Sequence, residues 1–94
     1  MLTSDEAYRL DRQVRRSLRV TGHGPAICID DKWFFVDEVE YRAAFDRRMN
    51  LHAHYALHMY EVGQPMITIS DSDDDVQTKC ALSSIRTMLS LVEA

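Results

Sequence analysis

The stretch EVEYRAAFDRRMNLHAHYALHMYEV, residues 38–62, is the segment on which the fold of this chain turns. It runs unbroken until Gly63-Gln64-Pro65 ends it. At about 100° per residue, Glu40, Arg47, Asn50, His54, His58 and Glu61 collect on one polar side. Tyr41, Ala44, Phe45, Met49, Leu51, His52, Tyr55, Ala56, Met59 and Tyr60 spread over the remainder. This periodicity predicts a helix over 38–62, roughly 36 Å long at ~1.5 Å per residue. The apolar arc is wider than a surface helix needs. The helix is therefore expected to be central to the fold or shared with a second copy in a homodimer.

Upstream, Ala7, Leu10, Val14 and Leu18 recur at three- and four-residue spacing and predict a helix from Asp5 to Arg19. Thr3 or Ser4 suits its N-cap, and Gly22 suits a left-handed C-cap. Ala26–Ile29 and Lys32–Val36 are rich in β-branched and aromatic residues, with Asp30-Asp31 as the turn of a hairpin. A two-residue turn puts Ile27, Ile29, Phe34 and Val36 on one face, and Ala26, Cys28, Trp33 and Phe35 on the other. Downstream, Met66–Ile69 reads as a third strand. A last helix is expected from Asp73 almost to Ala94, capped by Ser72 or Asp73, with Ala81, Leu82, Ile85, Met88, Leu89 and Val92 buried. The expected order is α-β-β-α-β-α: one α+β domain over residues 1–94, a three-stranded sheet packed by three helices.

The 94 residues, 46% hydrophobic and 28% charged, match an ordinary globular domain. Fifteen acidic residues against eleven basic ones give a charge of −4, which disfavours a general binder of nucleic acid or anionic membrane. No apolar run approaches the ~20 residues that span a bilayer, and Met1–Ser17 has no apolar core of a signal peptide. With only two cysteines, Cys28 and Cys80, a cytoplasmic, reduced protein is expected.

Five arginines, Arg9, Arg12, Arg15, Arg16 and Arg19, crowd the first helix. Such a stripe can grip phosphates or an acidic protein surface through forked hydrogen bonds. A surface helix must also carry charge somewhere, and Asp5 and Asp11 offer internal partners. His54 and His58, four apart on a helix with Glu61 beyond them, have a spacing that suits a transition metal, yet His52 points away. No metal or cofactor is expected from so weak a pattern. Asp71, Asp73 and Asp75 alternate like the start of a calcium loop, but Val76 and Leu82 replace its glycine and glutamate. Helix capping and a solvated acidic turn explain the cluster without an ion; the alternative is an acidic docking patch of Asp71, Asp73, Asp74 and Asp75 facing a basic surface.

Phosphate-loop, nucleophile-elbow and Cys-x-x-Cys motifs are all absent, so no catalytic residues are expected and the chain is not read as an enzyme. Tryptophan, tyrosine and methionine are generous for so small an interior, and these types are enriched in interfaces. Trp33, beside the Asp30-Asp31 turn, is the expected exposed anchor. The function expected is stoichiometric binding of another protein as regulator, inhibitor or adaptor. Phage-encoded inhibitors of host defence and toxin-immunity proteins are of this general type. The alternative is a nucleic-acid-binding regulator that uses the arginine face of the first helix.

Overall fold

In the computed structural model, which describes residues 1–92, the stretch 38–62 is a pair of strands and not a helix. The order is α1 (Ser4–Thr21), β1 (Ala26–Ile29), β2 (Lys32–Phe45), β3 (Leu51–Glu61), β4 (Ile67–Ser70) and α2 (Val76–Val92). The expected three strands and three helices are thus four strands and two helices. The sheet is antiparallel throughout, in the order β1-β2-β3-β4.

The reason lies in a period of two. Val39, Tyr41 and Phe45 alternate with Glu38, Glu40 and Arg42, and Leu51, Tyr55, Leu57 and Met59 alternate with His52, His54 and His58. Paired as strands, the first set of each shares a face: Val36 opposes Met59, Val39 opposes Leu57, Tyr41 opposes Tyr55 and Phe45 opposes Leu51. A bulge between Val36 and Glu38 keeps both halves of β2 in phase with that face. The tip at residues 46–50 closes on Asp46, whose Oδ1 accepts the N–H of Arg48 at 2.8 Å and of Asn50 at 2.9 Å. Met49 takes the left-handed conformation there, with φ 63°. Asp46 supplies the local hydrogen bonds that aspartate favours in turns.

The first hairpin forms as its sequence predicts. Asp30 and Asp31 have φ of 51° and 63°, the positive pair that a two-residue turn demands. Ile27, Ile29, Phe34 and Val36 are all buried. Helix α1 is also close to expectation. Thr3 and Glu6 form a reciprocal capping box, and Gly22, at φ 83°, closes the other end. Gly24 is needed for a different reason: a Cβ there would lie 1.6 Å from the carbonyl oxygen of Val36.

Both helices cover one face of the sheet. Leu10 and Val14 of α1 and Ala81, Ile85 and Leu89 of α2 meet Ile27, Val36, Leu57, Met59 and Ile69. At roughly 1.5–3 kcal/mol for each large side chain fully buried, this cluster dominates the stability of the fold. Helix α2 packs against β1, where the hydroxyl of Ser84 donates to Cys28 O at 2.6 Å. That bond satisfies a carbonyl of the sheet's outermost strand. The helix begins at Val76, not Asp73, because Asp75 Oδ1 accepts the Thr78 N–H at 2.7 Å. Val92, expected in the core, is exposed, and the expected end of the helix lies outside the described residues.

Candidate functional site

Trp33 projects from the uncovered face of β2 beside the Asp30-Asp31 turn and is 62% exposed. It does not stand alone. Cys28 of β1 and Met88, Leu91 and Val92 of α2 line an apolar cleft with it, about 340 Å³ in volume. Four apolar residues in the five positions 88–92 exceed what one helical face can bury. Leu89 goes to the core, while Leu91 and Val92 remain exposed at the cleft. This surplus was visible in the sequence, but assigning Val92 to the buried face hid it.

On the other side of α2, a second cleft of about 530 Å³ is lined by Asp73, Asp74, Lys79, Arg86 and their neighbours. Ser83 and Thr87 line both clefts, so Trp33 and the aspartate turn flank one outward ridge of α2. Asp74 pairs with Lys79 at 3.0 Å while staying almost fully exposed. Asp75 is occupied as the helix cap, and its bond from the Thr78 backbone N–H lowers its pKa.

Asp71 lies at the floor of this cleft but offers it almost no surface. It is 1% exposed, and its two oxygens accept the backbone N–H of Leu2 and of Tyr55, each at 2.9 Å. Its own N–H donates to Tyr55 O, so Asp71 ties the chain's first residues to β3 just beyond its pairing with β4. A carboxylate buried in this way anchors structure, and of the four aspartates expected to dock a partner only Asp73, Asp74 and Asp75 are exposed. Close by, Arg86 grips Glu6 through Nε at 2.7 Å and donates to Met1 O at 2.9 Å. The Arg86 guanidinium holds the Glu6 pKa down to about 2.

The arginines of α1 do not form one free stripe. Arg9 pairs with Asp5 at 3.6 Å and reaches Leu89 O of α2 at 3.4 Å. Arg15 pairs with Asp11 at 3.0 Å, and Arg12 lies 5.8 Å from the ring centroid of Tyr8. Arg16 and Arg19 are exposed.

The histidines change their meaning with the change from helix to strand. A period of two places His52, His54 and His58 on the uncovered face of the sheet, with Glu61 on the opposite one. The helical spacing behind a His54–His58–Glu61 metal site therefore does not exist. His58 is held between Thr68 Oγ1 at 2.7 Å and Glu40 Oε2 at 2.9 Å. His52 bonds Asp46 Oδ2 at 2.9 Å and draws the Asp46 pKa down to about 2. Among the described residues, no group of three or more His, Cys, Asp or Glu could hold a metal ion. On the same face His23, Phe35 and Tyr60 lie in a row with their rings tilted, centroids 4.2 and 5.5 Å apart. Among the described residues, no helix is long and apolar enough to cross a membrane. Compared with known proteins, the chain matches no family model, and no curated protein or solved structure is similar to it.

Proposed function

We propose that this protein is a non-catalytic binding module that seats on another protein, as a stoichiometric regulator, inhibitor or adaptor. The observation that carries the reading is the apolar cleft of Trp33, Met88, Leu91 and Val92, exposed and flanked across α2 by Asp73 and Asp74. A large aromatic side chain in a partly desolvated cleft is the usual centre of a binding hot spot. Nearby carboxylates add orientation and association rate toward a basic surface. The partner that fits presents an apolar side chain for the cleft and lysine or arginine beside it.

Tagged protein and nuclease-treated lysate of its native cells provide the test, read by mass spectrometry. A protein recovered in stoichiometric amount supports the reading when Trp33→Ala and Leu91→Ala lose it with the fold intact. Charge reversal at Asp73 and Asp74 then slows association and steepens no salt dependence. Recovery of the bait alone, or capture that nuclease abolishes, overturns the reading. In the second case Arg16 and Arg19 become the residues to vary.

A further inference from the structure

Strand β2 outruns its neighbour. β1 pairs with it only between Lys32 and Phe35, whereas β3 follows it to Phe45. Beyond the bulge, one side of β2 is an open edge. The ladder shows which groups face it. Asp46 N–H donates to Asn50 O, across the hairpin, while the N–H and C=O of Tyr55 turn away from β2 to Asp71. Inward and outward residues alternate in an antiparallel pair. Val39, Tyr41, Ala43 and Phe45 therefore aim N–H and C=O at the open side.

An edge of this length is a template for another strand unless proline, lysine, a bulge or a run of like charge blunts it. Here the bulge lies at the start of the edge, and the charges on it, Glu40 and Arg42, are of opposite sign. Neither proline nor lysine occurs between Val39 and Phe45. Tyr41 and Phe45 are instead 59% and 65% exposed.

We propose that a second copy of this chain occupies the edge, β2 pairing antiparallel with β2 about a two-fold axis through Tyr41. Charge selects this register. With the axis at Tyr41, Glu40 of each copy stands opposite Arg42 of the other, on the face away from the helices. An axis at Val39 sets Glu38 against Glu40, and one at Glu40 sets that residue against itself. An axis at Arg42 opposes two arginines, and one at Ala43 opposes Glu40 and Asp46. Like charges directly opposite one another destabilise a strand pair, and opposite charges support it. An axis at Ala44 also pairs opposite charges, Arg42 with Asp46, but overlaps only residues 43–45 of the strand. Among the registers that pair more of the open edge, the Tyr41 register alone is self-complementary in charge, as a two-fold interface requires. The two four-stranded sheets then become one continuous sheet with every helix on the same face. Tyr41 meets its own symmetry mate.

Sedimentation of the purified chain, over a series reaching high micromolar concentration, tests this. The wild type is expected to be a dimer. Arg42→Glu alone and Glu40→Arg alone each weaken association on the order of tenfold or more. Mixing the two variants restores a heterodimer, because every glutamate then faces an arginine. Circular dichroism checks the fold of each, which matters for Glu40→Arg because Glu40 also bonds His58. Oxidation of Tyr41→Cys links the copies, since Cα atoms of a hydrogen-bonded pair stand about 5.5 Å apart, within disulfide reach. Val39→Cys, opposite Ala43, does not. A wild type that stays monomeric overturns the proposal. So does a dimer indifferent to both charge variants. The edge shares no residue with the Trp33 cleft, so loss of dimer and loss of partner binding are separate results.

Discussion

The two halves of the β2–β3 hairpin share one backbone geometry and one alternating sequence, yet they sit in opposite surroundings. Near the body, the inward side chains Phe34, Val36, Leu57 and Met59 are buried under the helices. Toward the tip, Tyr41, Phe45 and Leu51 continue the same face and stand more than half exposed. The cause is length. Fourteen residues of strand reach roughly 46 Å at ~3.3 Å per residue, whereas the 18 residues of α1 span about 27 Å at ~1.5 Å. The helices cover as much of the strands as they can reach. Alternation thus writes a strand, but only the neighbouring elements decide which part of it is core.

The largest expected effect separates the two halves directly. Leu57→Ala should cost about 2–5 kcal/mol in denaturant unfolding, because its side chain is fully buried in the core. Leu51→Ala, on the same strand and face, should change monomer stability by less than ~1 kcal/mol. Equal losses would mean that the tip half is packed after all, and would break the comparison.

Asp71 stands where the two halves meet, holding the N–H of Tyr55, the first residue beyond the Ala56–Ser70 pair that ends the β3–β4 ladder. Asp71→Ala should cost on the order of 3 kcal/mol, since two buried N–H groups lose their acceptor. Hydrogen exchange at Leu2 and Tyr55 should rise together. A rise at one site alone would show that the carboxylate does not couple them.

Trp33→Ala should leave the unfolding midpoint nearly unchanged while weakening partner binding by about 2 kcal/mol or more, the behaviour of an exposed anchor. A stability loss as large as that of Leu57→Ala would return Trp33 to the core.

The smallest effect expected is a pH dependence. Glu6 titrates at about 2 in the folded chain, against 4.5 ordinarily, because Arg86 donates to it. A lowered folded pKa makes stability rise with pH: the contribution is present above about pH 4.5 and is lost as pH falls toward 2. Arg86→Met should flatten the acid limb of the stability curve and leave neutral stability less affected than Leu57→Ala does. An acid limb unchanged in that variant would assign the dependence to other carboxylates, with Asp46 at the tip the next to vary.

Much of the body could be read from the chain. The capping box of α1, the positive-φ aspartate turn and the four buried residues of the first hairpin all follow from local chemistry. Residues 38–62 misled because two periods coexist there. Alanine, leucine, methionine, glutamate and arginine favour a helix, and a helical projection sorts them passably. The warning was the apolar arc, too wide for one helical face. Val39-Glu40-Tyr41-Arg42 and Tyr55, Leu57 and Met59 fit a period of two without remainder. Asp46 and Asn50 mark the turn between them, a signal that the absence of glycine and proline obscured.

The sequence by itself therefore determined the local elements whose hydrogen bonds close within a few residues: a capped helix, a tight hairpin and the apolar face of α2. The turn also fixed that Trp33 and Cys28 share one face of that hairpin, but both of its faces are apolar, and only the packing of the helices decided that Trp33 stays outside. Tertiary structure decided the rest. Whether Asp71 faced a partner or the interior depended on Leu2 and Tyr55 arriving from opposite ends of the chain. Whether 38–62 became helix or hairpin depended on a helical face from α1 and α2 being there to bury Val36, Leu57 and Met59 together. Intrinsic propensity differs by less than ~1 kcal/mol per residue between the two states, and burial of a shared core outweighs it.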